Sequence, residues 1–296
     1  SNQLYGGRID AATAADMLAS FLNESMYTYK VAGIQALIER EVIGKMLSFV
    51  GFEDGEGTLA PGGSISNLVA TIVARNEAAP EVRNTGMDGR RYTMYTSDQS
   101  HYSIPKNAGI VGIGRENVRV IPTDETGHMR VDALEETLAA DRDAGCIPTL
   151  VNATAGTTVL GVFDPLEAIA DVAQKHNVWL HVDAAWGGTL LLHKKLRTLL
   201  AGCERADSFT WDAHKMMGVP LVASAILMKR PGLLEKHFSE QAGYLFQSDE
   251  EDDEYDLGRA SIQCGRRNDA LKIWVAWQVM GDKGYFKRIS KQRRLA

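Results

Sequence analysis

From residue 92 onward the sequence alternates between short apolar runs and longer stretches with helical spacing, and no other feature constrains the fold as tightly. Residues 92–96, 118–121, 149–152, 178–182, 208–211 and 222–228 read as strands, and 66–77, 131–142 and 166–176 read as helices between them. Strands that are apolar on both sides are covered on both faces. The pattern therefore predicts an α/β domain with a mainly parallel sheet and flanking helices. Ahead of it, Ile34, Leu37, Ile38, Val42, Met46 and Phe49 recur on one face of a helix predicted over 31–50, with Gly51 as its stop. The chain divides into an N-terminal helical segment (1–50), a large α/β domain (51–265) and a helical connection (266–296).

Composition narrows the class. With 296 residues, 45% hydrophobic and 24% charged, the chain is that of a globular protein, not a disordered or fibrous one. A net charge of -6 offers no long-range attraction to phosphate backbones, so nucleic acid is not an expected partner. Three cysteines, Cys146, Cys203 and Cys264, are too few and too scattered for a disulfide framework or a CxxC metal site, and the seven histidines include no HExxH. No apolar run approaches the ~18 residues that suggest a membrane span. The expectation is a soluble cytoplasmic protein. Both ends break off abruptly, which suggests a fragment of a longer chain.

In open α/β sheets ligands sit beyond the carboxyl ends of the strands, so polar residues at the ends of apolar runs are the ones to weigh. Asp183 closes the run in VWLHVDAAWG and can hold a ring nitrogen protonated, or serve as an ordinary turn or N-cap residue. His214 and Lys215 in WDAHKMMG follow the next run. A lysine beside another cation and partly desolvated sheds its proton more readily and becomes an amine nucleophile, although a lone His-Lys pair is weak evidence. A strand-ending aspartate about 30 residues before such a lysine is stronger, because pyridoxal phosphate (PLP) sites pair these two groups. Gly63 and Ser64 in PGGSISN open a helix and suit an anion or a plain capped turn. His101 in SHYS can stack on a ring, handle a proton, or be a structural histidine.

Taken with NQLYGG, NATAGTTVLGVFDP, YLFQ and IQCGRRNDALKIW, these segments resemble the group II PLP-dependent decarboxylases, in particular the glutamate and cysteine sulfinate decarboxylase branch. The resemblance implies the large domain of a fold type I PLP enzyme, with a mainly parallel seven-stranded sheet and a small C-terminal domain largely missing. It implies Lys215 as the Schiff-base lysine, Asp183 at the pyridine nitrogen, and His101 and Ala185 on the two faces of the ring. Thr154 would lie near the phenolic oxygen, and Gly63, Ser64 and His214 on the phosphate side. Gln3 would line the substrate pocket, and Tyr244 would protonate the substrate carbon. A homodimer with active sites at the subunit interface is implied too.

The expected reaction is α-decarboxylation of an acidic L-amino acid: glutamate to 4-aminobutanoate foremost, or cysteine sulfinate to hypotaurine, or aspartate to β-alanine. An aminotransferase on the same fold and a non-catalytic dimerisation partner are the alternatives. Two departures stand out. The family often has Asn-Pro before His-Lys where this chain has Asp212-Ala213, and a carboxylate there is costly near a phosphate unless it points away or caps a donor. The acidic run 249–254 reads as a solvated loop.

Overall fold

The computed structural model describes residues 4, 6–240 and 255–295. The N-terminal segment forms α1 (Asp10–Leu22), α2 (Tyr29–Ala32) and α3 (Ile34–Val50). Then follow β1 (Glu56–Ala60), α4 (Gly63–Ala78), α5 (Val82–Thr85), β2 (Tyr92–Ser97), α6 (Ser103–Ile110), β3 (Val118–Ile121) and α7 (Val131–Asp143). The second half adds β4 (Ile147–Thr154), α8 (Leu166–Lys175), β5 (Trp179–Asp183), β6 (Ser208–Asp212), β7 (Ser224–Met228), α9 (Leu233–Phe238) and α10 (Ala270–Leu295). No helix among the described residues is long and apolar enough to cross a membrane.

The seven strands make one sheet in the order β1-β7-β6-β5-β4-β2-β3. Every pairing from β6 to β3 is parallel, whereas β7 runs antiparallel to both its neighbours. Because side chains alternate along a strand, Tyr95, Val151, Leu180 and Phe209 enter one apolar cluster, with α3, α7, α8 and α10. Met94, Leu150, Trp179 and Ile226 enter the other, under α4, α6 and α9. Toward the carboxyl ends the α4 face changes character. There Asn152, Thr154, His181, Asp183, Ser208, Thr210, Asp212 and Ser224 form a buried polar layer, which an apolar core excludes unless each group finds a partner.

Two expectations are corrected. The helix over 31–50 is two helices, because Gly33 at φ 52° and ψ -131° breaks it between α2 and α3. The buried face of α3 is Ala36, Glu39, Val42, Ile43, Met46, Leu47 and Val50, while Ile34 (68% exposed) and Leu37 (40%) face outward. A charged residue therefore occupies an inward position that hydrophobic spacing assigned elsewhere. Its partner is Arg266, whose two terminal nitrogens each donate to one Glu39 oxygen at 2.7 Å.

Candidate active site

Strand register brings the candidate residues to one edge of the sheet. Thr154 at the end of β4 pairs with Asp183 at the end of β5, and Asp183 pairs with Thr210 of β6. In the next row Asp212 pairs with Ser224, and Ser224 with Ala60, just before the turn that opens α4. His101 follows β2, the neighbour of β4 on the side where strand order reverses; this switch point is where open α/β sheets hold their ligands. Gly63, Ser64, His101, Thr154, Asp183, Ala185, His214 and Lys215 all line one cavity of about 300 Å³. A larger cleft of about 530 Å³ opens where the strands begin, beside Pro148, Val178 and Asp207. It gathers none of the polar strand ends, so the smaller cavity is the site. Gln3, Tyr244 and the acidic run 249–254 lie outside the described residues.

Asp183 is buried, and its carboxylate is held by two donors. The Ala185 N–H donates to Oδ1 at 3.1 Å and the Asn67 side-chain amide to Oδ2 at 2.8 Å. Its neighbour Thr154 is anchored from below: Asp164 accepts the Thr154 N–H on one oxygen and the Met129 N–H on the other, both at 2.8 Å. Burial raises the Asp164 carboxyl above its usual range, and those two N–H groups work against the rise.

Lys215 does not have the surroundings expected from the His-Lys pair. The group closest to its amine is an acid: Nζ lies 3.2 Å from Asp212 Oδ2. Asp212 is buried, and its other oxygen accepts from the Ser224 hydroxyl at 2.5 Å, which in turn meets the Ser66 hydroxyl at 2.7 Å. It thus caps a donor and pairs with the lysine at once. The His214 ring is fixed on its other side, with Nδ1 2.9 Å from the Ala223 carbonyl, while its Nε2 is 3.5 Å from Asp212.

On the α4 side, Ile65 and Ser66 donate their N–H groups to the Gly62 carbonyl, while those of Gly63 and Ser64 take no backbone partner among the described residues. Both residues line the cavity, so the helix start offers donors to an anion there. Gly63 is needed for close approach. A Cβ on it would lie 2.8 Å from Asp212 Oδ2 and 3.3 Å from the Ala185 methyl. His101, over the cavity, accepts on Nδ1 from the Ser103 N–H at 3.2 Å, with the Ser103 hydroxyl 2.8 Å from the same atom. Burial pushes the His101 imidazole below its ordinary value, with Asp183 opposing and Lys215 assisting.

PLP asks for an amine at its aldehyde, a carboxylate at its pyridine nitrogen and donors at its phosphate. Lys215, Asp183 and the Gly63–Ser64 turn offer that set of chemistries within one cavity. The residues present fit the group. Sequence reasoning did not single out Asn67, Ser103 or His181, since nothing in a helical asparagine or a mid-strand histidine marks it as part of a site.

The family described as the pyridoxal-dependent decarboxylase conserved domain matches residues 2–296, and the chain belongs to it. Human cysteine sulfinic acid decarboxylase is 45% identical over 298 residues, which cover 100% of this chain and 60% of the relative. Human acidic amino acid decarboxylase GADL1 is 44% identical, covering 100% of this chain and 57% of the relative. The crystal structure of mouse CSAD superposes with a TM-score of 0.96 at 42% identity, over 99% of this chain and 61% of that one. Rice TDC, crystallised with PLP and tryptamine, superposes at 0.88 with 28% identity, over 97% of this chain and 62% of its own. The chain thus spans about three fifths of the length of these relatives.

Proposed function

We propose that the protein built on this chain decarboxylates an acidic L-amino acid at its α-carbon, using PLP held by Lys215. The observation that carries this reading is the pairing of a buried strand-end carboxylate, Asp183, with a lysine amine, Lys215, around one cavity. It is supported by relatives that bear the names acidic amino acid decarboxylase and cysteine sulfinic acid decarboxylase.

The residues divide the work. Asp183, fixed by two donors, would face the cofactor's pyridine nitrogen and favour its protonated form. Lys215 Nζ would hold the cofactor at its aldehyde. Bound PLP supplies an electron sink for the pair left when the carboxylate departs as CO₂. His101 and Ala185 would hold the cofactor's ring, and Gly63, Ser64 and His214 its phosphate. Tyr244 donates the proton that replaces the carboxylate, in a site closed to water. Gln3 contacts the substrate, and a second copy of the chain completes the site in a homodimer.

Glutamate, cysteine sulfinate and aspartate remain the candidate substrates, and the names of the relatives set cysteine sulfinate beside glutamate. Side chains one methylene apart differ by only about 1–3 kcal/mol in a typical pocket, so one or two contacts decide among them. The test is CO₂ release with added PLP from each amino acid in turn, with Lys215→Ala as the blank. Lys215-dependent release from one of them names the reaction and the substrate. A keto acid in place of CO₂ would turn the assignment to transamination. Tyr244→Phe is expected to keep PLP binding and lose clean amine formation.

A further inference from the structure

Asn67, on the buried face of α4, uses its whole side-chain amide. Its Nδ2 donates to Asp183 Oδ2 at 2.8 Å and to the Ser103 hydroxyl at 3.1 Å. Its Oδ1 accepts from Thr210 Oγ1 at 2.9 Å and lies 3.0 Å from His181 Nε2. That is two donors and two acceptors, the full capacity of the group.

The direction of every bond follows from one end. A carboxylate accepts only, so the nitrogen of Asn67 must face Asp183 and its oxygen must face His181. His181 then carries its proton on Nε2. Its Nδ1 accepts from the Ser208 hydroxyl at 2.8 Å, and Ser208 accepts from the Trp179 indole at 2.8 Å. Complete burial holds His181 down at about 4, so the ring is neutral in the working range and adds no charge beneath Asp183. On the other arm, Ser103 Oγ accepts from the Asn67 amide and donates its O–H to His101 Nδ1, where the Ser103 N–H also donates. With both donors on Nδ1, the neutral His101 ring carries its proton on Nε2.

We propose that Asn67 is the positioning residue of this site: one amide orients the Asp183 carboxylate and, by donating to Ser103 Oγ, turns that hydroxyl onto His101 Nδ1, where it joins the Ser103 N–H in favouring the Nε2-protonated ring. The groups assigned to the cofactor's pyridine nitrogen and to its ring face are thereby linked by a single side chain from α4. The inference rests on the proposed roles of Asp183 and His101.

The first measurement needs no variant. In ¹⁵N-histidine-labelled protein without cofactor, His181 and His101 are both expected as neutral Nε2–H tautomers. A His181 proton on Nδ1 would mean the amide is turned the other way and would overturn the proposal. Two variants then separate the arms by PLP titration and by the same spectra. Asn67→Leu, close in size but with neither donor nor acceptor, is expected to weaken PLP binding about tenfold or more and to move both histidine signals. Ser103→Ala is expected to move only the His101 signal, and Ser103→Thr to restore it. Unchanged PLP affinity and an unmoved His101 signal in Asn67→Leu would sink the idea, and if that variant does not fold, an unmoved His101 in Ser103→Ala does the same. An unmutated protein that takes up no PLP would remove the reading of the site itself, and this inference with it.

Discussion

The Lys215 ammonium lies 3.2 Å from the Asp212 carboxylate, three residues before it in the chain and buried at the end of β6. An amine paired with a buried carboxylate must leave that contact before it can reach an aldehyde. Asp212→Asn keeps the acceptor for the Ser224 hydroxyl and removes the charge. Covalent capture of PLP by the cofactor-free protein should then quicken on the order of tenfold, followed as growth of visible absorbance after mixing. A slower capture would show instead that Asp212 aims the lysine.

The Glu39–Arg266 pair ties α3 to the chain just before α10, with both side chains almost wholly buried and both bonds at 2.7 Å. Removing one partner strands the other charge in the interior. Glu39→Ala should therefore cost about 3–5 kcal/mol in denaturant unfolding, while the double change Glu39→Leu with Arg266→Met should cost far less, because no charge is left unpaired. Equal losses in the two proteins would assign the cost to packing.

These cases mark what the sequence carries and what it does not. Strands β2 to β7 were legible because each is a short run rich in apolar, aromatic or β-branched residues between turns, and the polar residues at or just past the ends of three of them, Asp183, Lys215 and Thr154, are gathered at one cavity. The five-residue β1, Glu-Gly-Thr-Leu-Ala, has no such pattern and becomes a strand only by pairing with β7. Nothing in the sequence marks Glu39 as inward, because an ion pair across 227 positions leaves no local trace. Asn67 was passed over for the same reason: Asp183 is 116 positions away, and their 2.8 Å contact is a product of the fold. The helical pattern near the C-terminus was right in kind but hid a kink at Gly281, where φ is 60° and ψ 172°.

Glu77, near the end of α4, contributes to the acid limb of stability. Burial raises its carboxyl, but hydrogen bonds from Lys236, His237 and Arg230 outweigh that and hold it down at about 2, against an ordinary 4.5. A carboxylate depressed in the folded state stabilises the fold above its unfolded value and loses that contribution as pH falls through the folded value. The stabilisation should be complete above about pH 4.5 and gone near pH 2, and solvent screening at a partly exposed site keeps it to about 1 kcal/mol. Glu77→Gln should differ from the parent at pH 7 and converge with it at pH 2. Parallel stability curves over that window would refute the assignment.

Gly63 is crowded where a Cβ would stand and Gly44 is open, so the two should respond oppositely to the same methyl. At Gly63 a Cβ would meet Asp212 Oδ2 at 2.8 Å, and that carboxylate cannot easily yield because Ser224 and Lys215 hold it from two sides. Gly63→Ala should push Asp212 or the start of α4 into the cavity and weaken PLP binding about tenfold or more. At Gly44, exposed within α3, a Cβ would meet nothing within 4 Å. There the added methyl removes the entropic cost of glycine in a helix, so Gly44→Ala should stabilise by about 0.5–1 kcal/mol and leave PLP binding untouched. PLP titration and thermal unfolding of the two variants side by side make the check. A Gly63→Ala protein that binds PLP like the parent would show that the turn has room to move, and the close approach of α4 to Asp212 would then not be what shapes the site.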